Sequence, residues 1–314
     1  KTLVIGGGGR EHAIAWRLSR SPSVTAVYAC PGNPGIAAIA HCLPGGDGTP
    51  QHYLAAAEHV GADLTVVGPE APLVAGTVDA FRAAGRLVVG PTAAAAQLEG
   101  SKVFAKRFFE RAGIPSARYE TAETPQDALE ALDRFPFPVV LKADGLAAGK
   151  GVLICQDRSA AEAAIHGLFS GELVGAAGRR VVVEDYLTGE EVSFIALSDG
   201  VRILPLEPTQ DHKAIYNNDA GPNTGGMGAY CDSRILTRAQ TDTILETVML
   251  PAIRHMAAEG VPFTGFLYAG LMMTENGPFV LEFNVRLGDP ETQALLHRID
   301  CDFAQVLQAA AKGD

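Results

Sequence analysis

LEFNVRLGDPETQ, residues 281–293, is the stretch on which the reading of this chain turns. Its first half alternates with period two. Leu281, Phe283, Val285 and Leu287 share one face of an extended strand, and Glu282, Asn284 and Arg286 share the other. The apolar face is suited to packing. The polar face sets a carboxylate, an amide carbonyl and a guanidinium in one row. The first two are hard oxygen donors that suit Mg2+, an ion that keeps waters and shares its shell with nucleotide phosphates. Arg286 has the fork geometry for bidentate capture of an oxyanion. Gly288, Asp289 and Pro290 then make a turn that ends the strand at the mouth of a site. A half-exposed strand with a merely solvated polar face has the same pattern, so the rest of the chain decides between the two.

A chain of 314 residues is long enough for two or three domains with a sizeable core. A net charge of -11 argues against nucleic acid or an anionic membrane as a main partner, so an anionic substrate needs local donors. Cys30, Cys42, Cys155, Cys231 and Cys301 form no CxxC pair and no metal spacing, as expected of free thiols in a reducing cytoplasm. No segment approaches the run of about 18 apolar residues that spans a bilayer. The sequence leaves the oligomeric state open, a monomer included.

Over the first hundred residues, apolar strands at 2–5, 24–29, 64–67 and 87–89 alternate with helical patterns at 10–19, 52–59 and 76–84. That alternation implies a parallel sheet covered on both faces. Gly6-Gly7-Gly8-Gly9 between the first strand and its helix suggests an anion at a helix N-terminus. The dinucleotide fingerprint fails, because Glu11 stands where a third small residue belongs and no acid ends the second strand. A nicotinamide dehydrogenase is therefore disfavoured. Pro31-Gly32-Asn33 and Gly68-Pro69-Glu70 follow strands, where an open parallel sheet places ligands, and Glu70 is a candidate for a sugar hydroxyl.

Ser101 opens a helix through Ala112, closed by Gly113 and Pro115, with Lys102 at its start where it can face a phosphate. Between apolar strands at 138–142 and 151–155 lies ADGLAAGKG. Its spacing and context exclude a Walker loop. A glycine-rich hairpin of this kind is a flap whose N–H groups close over phosphates, with Lys142 aimed at the same charge. A helix capped by Ser159 follows. The strand at 181–186 runs into a hinge whose backbone can meet an adenine edge, with Glu191 near the ribose. Asp211, His212, Lys213 and the run from Thr224 to Gly228 lie between strands with no regular period, and the glycines suit an anion nest.

Two lysines, a glycine flap, a strand-hinge-acid segment and a late E-x-N strand together resemble the ATP-grasp enzymes. More closely, VIGGGGREHA (4–13), PGNPG (31–35), DLTVVGPEAPLVAG (63–76), GPTAAAAQLEGSKVFAK (90–106), LKADGLAAGKGV (141–152), QDHK (210–213), GPNTGGMGAY (221–230) and FNVRLGDPETQ (283–293) resemble the glycinamide ribonucleotide synthetase (phosphoribosylamine–glycine ligase) family. RLGDPETQ and GPNTGGMGAY discriminate against other ATP-grasp branches such as purine-pathway carboxylases and formate-using transformylases. A nucleotide-binding protein without catalysis is the remaining alternative, and the presence of every metal and phosphate residue speaks against it. The chain departs from the family at AIYNNDA after QDHK, at Val285 and Leu287, and in stopping at Asp314, where family chains continue into a C-terminal domain.

The resemblance implies an α/β (α+β ATP-grasp) chain. It implies a Rossmann-like substrate domain over 1–100, a central ATP-grasp domain over 101–120 and 188–314, and a glycine-rich lid over 121–187, with the family's C-terminal domain absent. It implies ATP, Mg2+ or Mn2+, glycine and 5-phosphoribosylamine as ligands. ATP is expected on Lys102, Lys142, Gly145, Gly149, Lys150, Gly151, Glu184, Tyr186, Leu187 and Glu191, and the metal on Glu282 and Asn284. Substrates are expected on Gly8, Gly9, Arg10, Glu11, Asn33, Glu70, Asp211, His212, Lys213, Gly225, Gly226, Met227, Arg286 and Asp289. Catalysis is expected of Lys142, Arg286 and Asp289.

Overall fold

Five short parallel strands form the first sheet in the order His41–Cys42, Val27–Pro31, Thr2–Gly6, Leu64–Val67, Val88–Val89. The chain is seen here in a computed structural model that describes residues 1–147, 151–217 and 220–314. The central strands are buried throughout and read as continuous apolar runs, as a sheet covered on both faces requires. The strand order reverses at Thr2–Gly6, so the loops after it and after Leu64–Val67 border a crevice at their carboxyl ends.

The crevice is narrow because its loops touch. Gly32 N–H donates to the Gly6 carbonyl at 3.1 Å. A Cβ on Gly7 would lie 2.4 Å from the Gly32 carbonyl oxygen, and one on Gly68 would lie 2.2 Å from Glu11 Oε1. Only glycine permits this approach of backbone to backbone.

The second sheet is antiparallel and holds the strands Thr209–Tyr216, Ala220–Cys231, Glu190–Asp199, Thr264–Thr274 and Gly277–Asn284, with Ile203–Pro205 at Glu190–Asp199. A third sheet orders Tyr119–Ala122, Val181–Asp185, Val139–Ala143 and Val152–Cys155. The helix Lys102–Ala112 joins the second and third sheets. Ser101 Oγ accepts from Phe104 N–H at its start, and Gly113 closes it with a left-handed backbone, as the sequence predicts. Its apolar face meets the last strand where Phe109 and Phe283 pack edge to face at 5.0 Å. The helix Arg158–Phe169 begins one residue before the predicted cap, and Asp157 rather than Ser159 accepts the first N–H.

Two expectations change. The 281–287 stretch is a strand only as far as Asn284, and a bulge interrupts its pairing: Gly270 faces Glu282 while Leu271 faces Val280. The extra residue, Leu281, turns its carbonyl toward Lys142 instead of into the ladder. Val285 and Leu287 remain buried, so the apolar signal survives the end of the strand. The segment holding Asp211, His212, Lys213 and the glycine run is two long paired strands, with shifts between His212 and Ala214 and between Ala214 and Tyr216. Its glycines hid the period.

Replacing Gly7 with Ala should push the two strand-end loops apart and destabilise the protein by about 1–3 kcal/mol, the range of an overpacked site, measured by denaturant unfolding.

Candidate functional site

The strand Gly277–Asn284 and the residues just after it deliver three polar groups, Glu282, Asn284 and Arg286, to one cleft. Glu282 Oε2 accepts from Lys102 Nζ at 3.1 Å. Burial opposes the charge on Lys102, but Glu282, with Glu99 and Glu184 behind it, outweighs that and keeps its pKa raised. Asn284 Oδ1 lies 3.3 Å from Arg286 Nη2. Among the described residues no three His, Cys, Asp or Glu side chains form a metal-sized cluster. One carboxylate and one amide oxygen suit an ion that completes its shell with waters and phosphates.

Arg286 is more committed than the sequence suggests. Its Nε donates to Glu70 at 3.2 Å, Nη1 to the Leu287 carbonyl at 3.2 Å, and Nη2 to Glu99 at 2.8 Å and Asn284 at 3.3 Å. Four of its five N–H groups are thereby used, which leaves one Nη1 N–H for an oxyanion. The bidentate capture expected of it is corrected to a single-donor contact in this state. Burial works against the guanidinium charge, and Glu99 and Glu70 more than compensate, so its pKa is raised. Glu70, expected on a sugar hydroxyl, holds Arg286 and lies 4.0 Å from Arg10. Although burial pushes the other way, these cations keep its carboxyl below the usual range.

The third sheet and the helix Lys102–Ala112 together form a buried triad. Glu184 lies between Lys106, at 2.6 Å, and Lys142, and all three side chains are nearly inaccessible. Lys142 Nζ also donates to the Leu281 carbonyl at 2.8 Å, and Lys106 Nζ to that of Ala117 at 3.1 Å. Lys142 is thus on the cleft floor, already paired, rather than a free cation at a strand end. Burial pushes Glu184 up, and the two ammonium groups outweigh it, so its pKa is lowered. Its side chain serves the lysines. The stretch from Glu184 to Leu187, where a hinge is expected, spans the end of the strand Val181–Asp185 and the start of the link to Glu190–Asp199, in which Gln210 Nε2 bonds the Glu191 carbonyl at 2.9 Å. Asp144, at the base of the flap, accepts from Ser101 Oγ at 2.7 Å and Val103 N–H at 3.1 Å and pairs with Arg180 at 2.5 Å. Gly145 and Gly151 flank the flap, while Gly149 and Lys150 lie outside the described residues.

At the parallel sheet, Asp289 occupies the place predicted for a ligand anion. Its Oδ2 accepts from Arg10 N–H at 3.1 Å in the first turn of the helix Gly9–Ser19, and Gln293 holds Oδ1 at 2.7 Å. Gly8 and Gly9 face the same carboxylate, and Gly226 approaches Pro290 so closely that a Cβ would lie 2.8 Å from its Cδ. Gly225 and Met227 flank Gly226 on the same strand, with Met227 exposed. Arg10 donates to the Leu287 carbonyl at 3.2 Å and to Glu11 at 2.6 Å.

Two residues expected to contact substrate have protein partners. Glu11 is buried, with one carboxylate oxygen on Gly8 N–H and the other on Arg10 Nε, so its side chain supports the glycine turn. Asn33 spends its amide on the Gly7 carbonyl and the Ile36 N–H, tying two loops together. His212 is exposed and stacks on Tyr230 at 5.9 Å, and it shares the strand Thr209–Tyr216 with Asp211 and Lys213. Sequence reasoning missed Glu99, Lys106 and the Ser193–Tyr268–Glu291 cluster. In that cluster Tyr268 donates to Glu291 at 2.7 Å. The spacing of Glu99 and Lys106 from Lys102, three and four residues, was the available signal.

The family model described as phosphoribosylglycinamide synthetase, N domain, matches residues 1–99, and that described as the ATP-grasp (A) domain of the same synthetase matches 100–292. The chain is 50% identical to a phosphoribosylamine–glycine ligase of Xylella fastidiosa, covering 100% of this chain and 72% of that one. It is 52% identical to one of Allochromatium vinosum, covering 100% and 74%. The crystal structure of a phosphoribosylamine–glycine ligase from Thermotoga maritima superimposes with a TM-score of 0.87 at 34% identity, over 99% of this chain and 75% of that one. Biotin carboxylase from Campylobacter jejuni shares the fold, at a TM-score of 0.76 and 17% identity over 100% and 71%.

Because the folded-state pKa of Glu184 lies below its ordinary value of 4.5, its stabilising contribution is complete above that pH and is lost as pH falls through the lowered value. Glu184→Gln should leave two buried lysines without a counter-charge and cost about 3–5 kcal/mol at neutral pH. It should also flatten the acid limb of the stability profile, read from melting temperatures between neutral pH and pH about 3.

Proposed function

The chain belongs to the phosphoribosylglycinamide synthetase family, and from that premise we infer that it ligates glycine to 5-phosphoribosylamine with cleavage of ATP to ADP and phosphate, a step of purine biosynthesis. The observation that carries the reading is the reach of RLGDPETQ. Arg286 at one end meets the cleft of Lys102 and Glu282, and Asp289 at the other meets the glycine turn of the parallel sheet. One segment thus joins a phosphate-type cleft to a crevice suited to a phosphoribosyl group.

In this reading a glycine carboxylate oxygen attacks the γ-phosphorus and ADP leaves, giving glycyl phosphate. The amine nitrogen of phosphoribosylamine then attacks the acyl carbon, phosphate leaves, and the nitrogen gives up a proton as the amide forms. Phosphoryl transfer of this kind needs in-line placement and charge neutralisation rather than a protein nucleophile. Lys102 and Lys142 neutralise phosphate charge, Arg286 offers its remaining N–H to the carboxylate, and the flap with Gly145 and Gly151 keeps out water that would hydrolyse the acyl phosphate. Glu282 and Asn284 would hold Mg2+ or Mn2+, which when bound offsets the phosphate charge. Lys102, paired with Glu282 here, would turn to the nucleotide phosphates when Glu282 held the ion.

Gly8, Gly9 and Gly226 present backbone at the crevice, and Asp289 orients the amine. The backbone from Glu184 to Leu187 suits an adenine edge, and Glu191 a ribose. The division into a substrate domain at 1–100, a lid at 121–187 and a central domain from the rest follows the same reading. Five free cysteines suit a reducing cytoplasm. Among the described residues no helix is long and apolar enough to cross a membrane.

ADP release should require glycine, phosphoribosylamine and Mg-ATP together, and release indifferent to glycine or to the amine would overturn the assignment. Glu282→Gln should remove at least about 99% of metal-dependent turnover while the thermal unfolding midpoint stays within a few degrees of wild type. Retained turnover would refute its metal role.

A further inference from the structure

Glu99 lies three residues before Lys102, at the end of the short helix Gln97–Gly100. Its side chain is 8% exposed, and both oxygens are spent on the segment it faces: Oε1 on Arg286 Nη2 and Oε2 on Val285 N–H, each at 2.8 Å. Burial favours the neutral form, yet the carboxylate faces a guanidinium that is itself only 16% exposed and needs a counter-charge. Lys102 pairs with Glu282 on the same two segments. Residues 99–102 therefore fasten to residues 282–286 through two ion pairs of opposite polarity and one backbone hydrogen bond.

We propose that Glu99 is a positioning residue for the ligase reaction: it fixes which N–H of Arg286 faces the glycine carboxylate and sets Arg286 at a constant distance from Lys102. The inference rests on the ligase reading above. Glu70 fixes Nε, the Leu287 carbonyl fixes one Nη1 N–H and Asn284 accepts one Nη2 N–H at 3.3 Å, so the last N–H on the protein side of the guanidinium is the second on Nη2. Glu99 accepts it. Glu99 lines the cleft beside Lys102, but both of its oxygens are spent on Val285 N–H and Arg286, so its effect passes through that segment. Its hydrogen bonds hold Arg286 and not Lys102 or Lys142, so its effect falls on glycine more than on ATP.

The test is a double-mutant cycle on the full natural polypeptide: wild type, Glu99→Gln, Arg286→Lys and the double variant, with glycine, ATP and the amine varied in turn. Glu99→Gln should lower kcat/KM for glycine about tenfold or more, with KM for ATP within about twofold. In the Arg286→Lys background the same change should cost less than about twofold, because the partner it orients has gone. Multiplicative losses, or equal losses toward glycine and ATP, would overturn the proposal. If Glu99→Gln does not fold, Glu99→Asp serves: it keeps the charge but is too short to span Val285 and Arg286, and the same glycine-selective loss is expected. A direct readout is nitrogen NMR of the Arg286 guanidinium. Distinct, slowly exchanging Nη signals should be present in wild type and collapse in Glu99→Gln, and signals unchanged by the substitution would overturn it. Absence of wild-type turnover would defeat the ligase reading alone, since the NMR comparison still judges the positioning.

Discussion

Charge buried in a cleft must be matched by charge, and that constraint arranges the functional half of this protein. Five cations converge on it, Arg10, Lys102, Lys106, Lys142 and Arg286. Each is held by a carboxylate: Glu11, Glu282, Glu184 for two of them, and Glu99 with Glu70. A lone ammonium or guanidinium withdrawn from water to this degree costs several kcal/mol, so these partners are conditions for the cations being there at all. The partners come from different elements. Glu70 follows a strand of the parallel sheet, Glu184 lies on the third sheet and Glu282 on the antiparallel sheet, and the ion pairs cross-brace the three.

The same network sets how the protein meets its ligands. In the described state Lys102 is engaged with Glu282, so a nucleotide phosphate meets it by exchange of partners, whereas Arg286 keeps one N–H for a carboxylate. A preorganised donor costs little reorganisation during reaction, which is where electrostatic stabilisation gains its effect. Glycine supplies the complementary device. At Gly7 and Gly226 the absence of a side chain lets backbone lie against backbone or against Pro290, bringing the crevice and the cleft within reach of a single strand end.

The sequence was most legible where local pattern and tertiary role agree. The strands at Thr2–Gly6 and Leu64–Val67, the helix from Lys102 to Gly113 with its serine cap, and the apolar face of Phe283, Val285 and Leu287 all follow from periodicity and cap chemistry. The antiparallel sheet was legible chiefly through its last strand, because its glycine-rich hairpin carries no alternation and its other strands are held by pairing across distant sequence. Glu11 and Asn33 show why polar residues beside a glycine loop mislead: their type is right for a ligand, but backbone N–H and carbonyl groups exposed by the tight turn claim them first. Glu99 and Lys106 were invisible for the converse reason, since a polar residue on a helix reads as solvated until the strand that buries it is known.

The account stands on activation of the glycine carboxylate by phosphate within this cleft. Its most direct test uses glycine carrying heavy oxygen in both carboxylate positions, with Mg-ATP and phosphoribosylamine, and mass analysis of the inorganic phosphate released. Passage through glycyl phosphate transfers a carboxylate oxygen to phosphate, so each turnover should yield phosphate bearing one heavy oxygen. Phosphate free of label, formed alongside the ligated product, would contradict the account.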